Sequence, residues 1–471
     1  MIFSFGHLAG IVAVFILIAA IGIYAGSKVK STSDFSTSGR RAGWSLVTGT
    51  LIGTFVGGSS TIGTAQLAFQ FGFSAWWYTL GGGIGFALLG LGMVKKFYSS
   101  SAETIPQFLV QTYGAKIGPI SSIFTSVGIF FSMVAQILSF VALMGAMFHM
   151  SPLMSSAIGL AFALAYVIFG GMLGTGFAGV AKMLLLYFAM LSCGIAAYFL
   201  MGGISGFAGA FPAFPWFSMV GRGVEKDISS AFSVLVGILS TQTYMQAVVS
   251  AKNLHESHKG ALAAAILTPP IGIGGILVGL YMKANFPNTP SAEVLPTFIM
   301  QFLPPVVAGI VLGTLLISAI GSWAGLTLGV STMFTRDIYQ KLVRVNASEK
   351  ETLLVQRVLL IVICVIATMI ANGNVGSLIL GWSFLSQGLR GCVALFPLLG
   401  AMLLPRFVTP IAGVTATILG PLVNIGWFML YPKGIDPLLP GLFVSAVALV
   451  VISMITKKNT PAAKQEQPVA R

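Results

Sequence analysis

The sequence predicts an all-α polytopic membrane protein, and three observations predict it. Of the 471 residues, 56% are hydrophobic and only 8% charged, against roughly 25% charged in soluble domains. Mean hydropathy is +0.94. The apolar residues also fall into runs of about 20, the length of one bilayer crossing, which gives room for about thirteen helices. This composition excludes a soluble enzyme, a disordered chain and a disulfide-stapled secreted module.

The runs centre in 5–26, 44–69, 73–95, 117–147, 152–172, 177–203, 229–250, 260–283, 304–332, 354–372, 376–402, 408–431 and 437–456. The first has no basic region before it and leads straight into the others, so it reads as a span, not as a cleaved signal. The polar segments 96–116, 204–228, 250–259, 284–300 and 333–353 separate later runs without making room for a soluble domain. After Thr456 only a short polar tail is expected on the inner side. The net charge of +14, from 25 Lys and Arg against 11 Asp and Glu, would suit nucleic acid in a soluble chain. Here it obeys the positive-inside rule. With the N-terminus outside and the C-terminus inside, only Arg222, Lys226, Lys283 and Lys433 fall in outer loops, and Lys182 and Arg390 fall within spans. The remaining Lys and Arg are all inner.

Cys193, Cys364 and Cys392 lie in apolar stretches without a CxxC or Cys/His cluster, and read as core residues. His7, His149, His255 and His258 sit at span edges or in loops, so enzymatic chemistry has little support. A channel would want charge rings or a filter-like repeat, and none is evident. A sensor would want a larger tail or a docked partner. Transport of a small solute through the membrane is the expected function. No cofactor, no nucleic acid and no obligatory protein partner are expected, only membrane lipid around a multi-pass protein of the cell membrane.

Glycine is abundant, with 57 residues, and unevenly placed. The second run carries Gly53, Gly57 and Gly58 followed by Ser59, Ser60, Thr61, Thr64 and Gln66. A glycine pair inside a membrane helix frees backbone groups that need partners. Close helix packing is one outcome, and a broken helix that binds an ion and a substrate is the other. The hydroxyls favour a site.

These residues resemble the sodium/solute symporter family, whose members carry proline, sugars, pantothenate and choline. The resemblance rests on Ser38-Gly-Arg40, Gly43-Trp44, Leu51-Ile-Gly53-Thr-Phe-Val-Gly-Gly58 and Gly63. It continues at Tyr166-Val-Ile-Phe-Gly170-Gly171-Met172, at Ser318-Ala-Ile-Gly-Ser322 and at Thr335-Arg-Asp337-Ile-Tyr339. It implies a core of two inverted five-helix repeats, here 44–203 and 229–402, within a single transmembrane domain. The first helix and inner loop (1–43) and two late helices (403–456) would be peripheral, and 457–471 a cytoplasmic tail. Substrate would sit at mid-membrane between broken spans two and seven, served by alternating access. Span seven carries Ser240, Thr241, Gln242, Tyr244 and Gln246 but no glycine pair.

The resemblance also implies a sodium site from the carbonyls of Gly53 and Val56 with oxygens at Ser318, Gly321 and Ser322. Gly321 stands where many members have serine, so one ligand is missing. Gly179 stands where many carry an aspartate, and Lys182 follows one turn later on the same face. A cation about 4 Å from sodium would cost about 4 kcal/mol at an effective dielectric of 20. The main expectation is a symporter driven by a sodium gradient, with Lys182 snorkelling to the inner interface. The alternative is that its ammonium replaces sodium and coupling is by protons or absent.

Polar candidates for the solute pocket are Ser59, Ser60, Gln66, Gln136, Thr241, Gln242, Tyr244 and Gln246, with Trp76, Trp77, Phe131 and Trp382 as walls. No acidic residue lies at the centre of a span, and Thr241 and Phe55 stand where choline-type members resembling this chain would have tryptophan. Choline is therefore not expected. Arg390, inside span eleven, is either a structural arginine or a bidentate partner for a carboxylate. The expectation is a small carboxylate or a neutral polar solute.

Overall fold

The computed structural model describes residues 3–26, 40–100, 102, 104–170, 174–431 and 434–457. The basic residues Lys28 and Lys30, Ser38 of the first motif, Gly171 and Met172 of the second, Lys433 and the tail from 458 lie outside the described residues.

Helices dominate the chain, and no strand occurs among the described residues beyond one isolated bridge. α1 (Phe5–Gly26) flanks the first repeat expected from the sequence, which begins with α2 (Trp44–Phe55), α3 (Thr64–Phe71) and α4 (Trp77–Leu88). The long α5 (Ile117–Phe148), α6 (Pro152–Gly170) and α7 (Gly174–Leu200) follow. The second half holds α8 (Val224–Leu239), α9 (Gln242–Val249), α10 (Leu254–Leu267), α11 (Pro269–Asn285), α12 (Pro305–Met333), α13 (Glu349–Asn372) and α14 (Ile379–Leu403), with α15 (Pro410–Leu430) and α16 (Leu438–Lys457) after it. Among the described residues nine helices are long and apolar enough to cross a membrane, or ten when the bent pair α8–α9 is one span. Phe5–Ile21, Trp44–Phe55 and Pro152–Ala165 are shorter apolar helices.

Two expected spans are split. The second run becomes α2, an extended residue at Val56 and a π turn at Ser59–Gly63 before α3. The seventh becomes α8 and α9, bent by 48°. Three segments expected to be polar connections hold short helices instead: Ile105–Tyr113, Gly203–Ala210 and Val294–Phe302. In the first, the Thr104 hydroxyl accepts from the Gln107 amide as an N-cap. Its buried face is Ile105, Phe108 and Leu109, so a polar stretch with a capped start and one apolar face still forms a helix.

Small residues let the helices meet closely, the usual means of packing where lipid competes for apolar contacts. At the first helix, a Cβ on Gly10 would lie 2.6 Å from the Ile310 amide of α12. The bundle core is filled by large buried side chains such as Trp323, Phe140 and Phe86. All three cysteines are buried and free. At one end of the bundle the two halves are laced together. Ala42 N donates to Ser250 O (3.1 Å), Lys252 N to Ala42 O (2.9 Å), and the Trp44 amide to Glu256 Oε2 (2.6 Å).

Candidate functional site

The site begins with the backbone groups that the first break sets free. In a continuous helix the amides of Gly57 and Gly58 would bond the carbonyls of Gly53 and Thr54. Instead Gly57 N donates to Ser60 Oγ (2.9 Å) and Gly58 N to Gln136 Oε1 (2.9 Å). The other half of the Gln136 amide donates to Ser59 Oγ (2.9 Å). Gly57 O accepts from Ser60 Oγ and Thr61 Oγ1, each at 3.0 Å. Ser318 Oγ of α12 donates to Val56 O (3.2 Å). The break is thus held by hydroxyls and one glutamine, as buried backbone groups require. Glycine at 57 is a matter of space, since a Cβ there would lie 2.7 Å from Gln136 Oε1 and 2.9 Å from Ser322 Oγ.

The freed carbonyl of Gly53 has another partner. Lys182 Nζ, from α7, donates to Gly53 O at 2.7 Å and to Ser322 Oγ at 3.0 Å, and lies 3.4 Å from Ser318 O. The ammonium is therefore turned into the bundle, not back toward an interface. Glycines allow the approach: a Cβ on Gly179 would lie 2.8 Å from Gly49 O, and one on Gly53 would lie 2.9 Å from Gly179 Cα. Three of the oxygens expected to ligate sodium thus surround the Lys182 amine, while Val56 O accepts from Ser318 Oγ. An ion placed among them with the ammonium still bound would meet the full repulsion of a like charge. Among the described residues no hydrogen bond from the Lys182 amine goes to Gly321.

The second break falls at Ser240 and Thr241. Ser240 N and Thr241 N bond back to Gly237 O and Ile238 O at 3.2 and 3.4 Å, and Thr241 Oγ1 also donates to Gly237 O. Arg390 closes on this corner from α14. Its Nη1 donates to Thr241 Oγ1 (2.8 Å), its Nη2 to Ser386 Oγ (3.0 Å) and its Nε to Ser386 O (3.2 Å). Arg390 is 2% exposed, and among the described residues no carboxylate pairs with it. The side chains of Tyr78 and Tyr244 lie within electrostatic range of the guanidinium. Ser59, Ser383 and Gln387 lie within side-chain hydrogen-bonding range of the Tyr78 hydroxyl, while among the described residues Ser240 Oγ and Gln242 Oε1 have no hydrogen-bond partner. Polar groups of both breaks therefore converge near Tyr78 and Arg390. Phe55 stacks on Tyr78 at 5.0 Å, and Phe86 meets Tyr244 edge-on at 5.3 Å.

Of the residues singled out from the sequence, Gly53, Val56, Lys182, Ser318 and Ser322 come together around one point, with Gly179 behind them. Ser59, Ser60 and Gln136 hold the first break. Thr241, Gln242, Tyr244 and Arg390 gather at the second. Gln66 stands apart: its Oε1 accepts from the Ile379 amide (2.9 Å) and its Nε2 donates to Ser377 O (3.3 Å), tying α3 to the start of α14. Trp382 is engaged likewise, through Nε1 to Ser377 Oγ (2.8 Å). Tyr78, Ser383 and Gln387 join the site from outside that set of candidates. The spacing of Ser383, Gln387 and Arg390, i, i+4 and i+7 on α14, was the signal that points to one face.

The profile of the Sodium:solute symporter family matches residues 35–416. A sodium/glucose cotransporter of Vibrio parahaemolyticus is 25% identical over 399 residues, which is 74% of this chain and 70% of that protein. High-affinity choline transporter 1 of Caenorhabditis elegans is 26% identical over 474 residues, 91% of this chain and 81% of that protein. Among solved structures, a substrate-bound outward-open Na+-coupled sialic acid symporter is similar in fold, with a TM-score of 0.79 at 16% identity, covering 99% of this chain and all of that one.

Proposed function

The chain belongs to the sodium:solute symporter family, and on that premise we propose that Lys182 takes the place of a sodium ion at the first helix break and that protons are the coupling ion. Secondary active symport of a small solute by a multi-pass membrane protein is the activity of the family. The scaffold proposed here has thirteen crossings, with the N-terminus outside and inverted repeats over 44–203 and 229–402. The solute is polar, a small carboxylate or a neutral molecule. It is imported by alternating access between the two broken helices.

One observation supports the coupling. Lys182 Nζ donates to Gly53 O and Ser322 Oγ while standing 3.4 Å from Ser318 O, so a charged amine bridges α2, α7 and α12. Hydrogen bonds from a charged donor are about twice as strong as neutral ones. The protonated amine holds the three helices as a bound cation would. On the inner side it gives its proton to water and keeps the electron pair, the bridge weakens, and the helices separate. A proton taken from the outer side resets the bridge, and one proton has then moved inward with each cycle.

A second reading keeps the sodium gradient as the driving force, favoured by the family itself and by the retained oxygens at Val56, Ser318 and Ser322. Thermal stability of the purified protein in sodium, potassium and choline chloride, at two pH values, separates the two, because a cation that binds only the folded state raises the melting temperature. The lysine reading expects no sodium-specific rise in the wild type and a pH response that Lys182→Ala abolishes. A saturable sodium-specific rise in the wild type would overturn it.

A further inference from the structure

Arg390 is a buried cation without a counter-ion. Among the described residues it makes no ion pair, and its three hydrogen bonds go to Thr241 Oγ1, Ser386 Oγ and Ser386 O. A guanidinium carries five N–H hydrogens, so two are left without an acceptor in this set of contacts. Leaving an uncompensated charge inside a membrane bundle is costly, and such residues face the pathway of the transported species by default. The stem of Arg390 is fixed: a Cβ on Gly128 would lie 2.7 Å from Arg390 Cγ, and Ser386 Oγ donates to Gly128 O at 2.6 Å. Its head is therefore held at the corner where α8 breaks and α9 begins, with the positive end of the α9 dipole beside it.

At this corner Ser240 Oγ and Gln242 Oε1 are buried without partners among the described residues, and Ser383 and Gln387 stand on the face of α14 that carries Arg390, beside the Tyr78 hydroxyl. Ser240, Ser383 and Gln387 are 1%, 1% and 3% exposed. A buried polar group without a partner is destabilising, and a ligand that bonds it relieves the cost. The Ser240 hydroxyl and the Gln242 amide oxygen together offer acceptors for a donor group. No carboxylate stands among them to hold an isolated cation, and Arg390 repels one.

We infer that Arg390 anchors the carboxylate of the transported solute, and that Ser240 and Gln242 receive a hydroxyl or ammonium group on the same molecule. The substrate class is a small carboxylate carrying one hydrogen-bond donor, such as a hydroxy acid or a zwitterionic amino acid. This rests on the symport reading above and narrows its substrate.

The test uses the purified full-length protein and the probes lactate, alanine, proline and acetate, with lactamide, glucose and choline as controls. The readout is the melting temperature against probe concentration, repeated at the two pH values. At least one of lactate, alanine and proline is expected to stabilise saturably, acetate more weakly, and lactamide, glucose and choline not at all. Arg390→Gln is expected to weaken that response roughly tenfold to a hundredfold. Because Arg390→Gln also removes hydrogen bonds that tie α14 to the second break, Ser240→Ala serves as the second variant. It removes an unpartnered hydroxyl, so the ligand-free melting temperature should hold while the apparent affinity falls several-fold. The inference is overturned if lactamide or glucose stabilises as well as the carboxylates, if none of the carboxylates stabilises, or if both variants keep wild-type affinity. In each of those cases a pH response that depends on Lys182 leaves the symport reading standing, and its absence counts against that reading separately.

Discussion

Lys182 Nζ lies 2.7 Å from the carbonyl oxygen of Gly53, an oxygen released because the Gly57 amide bonds Ser60 Oγ instead. The glycine-rich break and the lysine on another helix are thus parts of one device: the break frees an acceptor and the lysine supplies its donor. Lys182→Ala should leave Gly53 O, Ser318 O and Ser322 Oγ facing each other without a cation. The expected outcome in proteoliposomes is uptake that no longer rises when the outside is acidified, whereas the wild type is driven by an inward proton gradient. A sodium-specific rise in melting temperature should appear in the variant alone. Unchanged pH dependence of uptake in Lys182→Ala would rule out the role given to the amine.

Gly179 makes the same device possible from behind. A Cβ there would lie 2.8 Å from Gly49 O, a backbone atom that cannot turn aside as a side chain can. Gly179→Ala should push α7 from α2 and lengthen the Lys182 bridge. A loss of about 1–3 kcal/mol is expected from the overpacking alone. The informative measurement is the pH profile of uptake, which should flatten as in Lys182→Ala, although the lysine is intact. A variant that loses stability but keeps the wild-type profile would show that the approach of the two backbones is packing only.

The fold class was legible because a bilayer imposes long apolar runs and the charges between them follow one rule. The first break was legible because glycine pairs are conspicuous at Gly57 and Gly58. The second was not, since Ser240 and Thr241 break the helix without glycine, with 3₁₀-type bonds to Gly237 O and Ile238 O and a threonine hydroxyl taking the place of a backbone donor. Gln66 illustrates the opposite failure. It lies on the right helix one turn beyond the hydroxyls, yet its amide serves the start of α14. That pairing joins residues 313 positions apart, and local spacing carries no trace of it. Ser383, Gln387 and Arg390 share a face that helical periodicity does expose, but which neighbour that face meets is decided by tertiary packing.

Gln136 satisfies both sides of the first break, accepting from Gly58 N and donating to Ser59 Oγ. A graded series should follow. Gln136→Leu strands a buried amide and is expected to cost about 1–3 kcal/mol. Gln136→Glu keeps an acceptor for Gly58 N and, as the neutral acid that a buried site favours, a donor for Ser59 Oγ, so it should be the milder of the two. Melting temperatures of the purified variants check the order. Equal losses would mean that side-chain volume, and not the amide, holds the break.

Near the other corner of the site, Arg222 and Asp227 form a buried pair at 2.6 Å, with side chains 6% and 0% exposed. Asp227 Oδ2 also accepts from Ser74 Oγ and from the Arg222 amide. The guanidinium carbon lies 5.7 Å from the centre of the Phe384 ring, which in turn packs on Tyr78. The pair therefore closes the loop after Phe217 over the aromatic side of the cluster at Arg390. Arg222→Ala leaves Asp227 as a buried charge without its partner and is expected to cost about 3–5 kcal/mol. The double variant Arg222→Ala with Asp227→Ala removes both charges and should recover part of that loss, since the larger share of the single-variant penalty is the stranded carboxylate. Denaturation midpoints of the two single variants and the double variant measure the coupling. Additive losses would show that the pair contributes no interaction and that the loop is held by its backbone bonds alone.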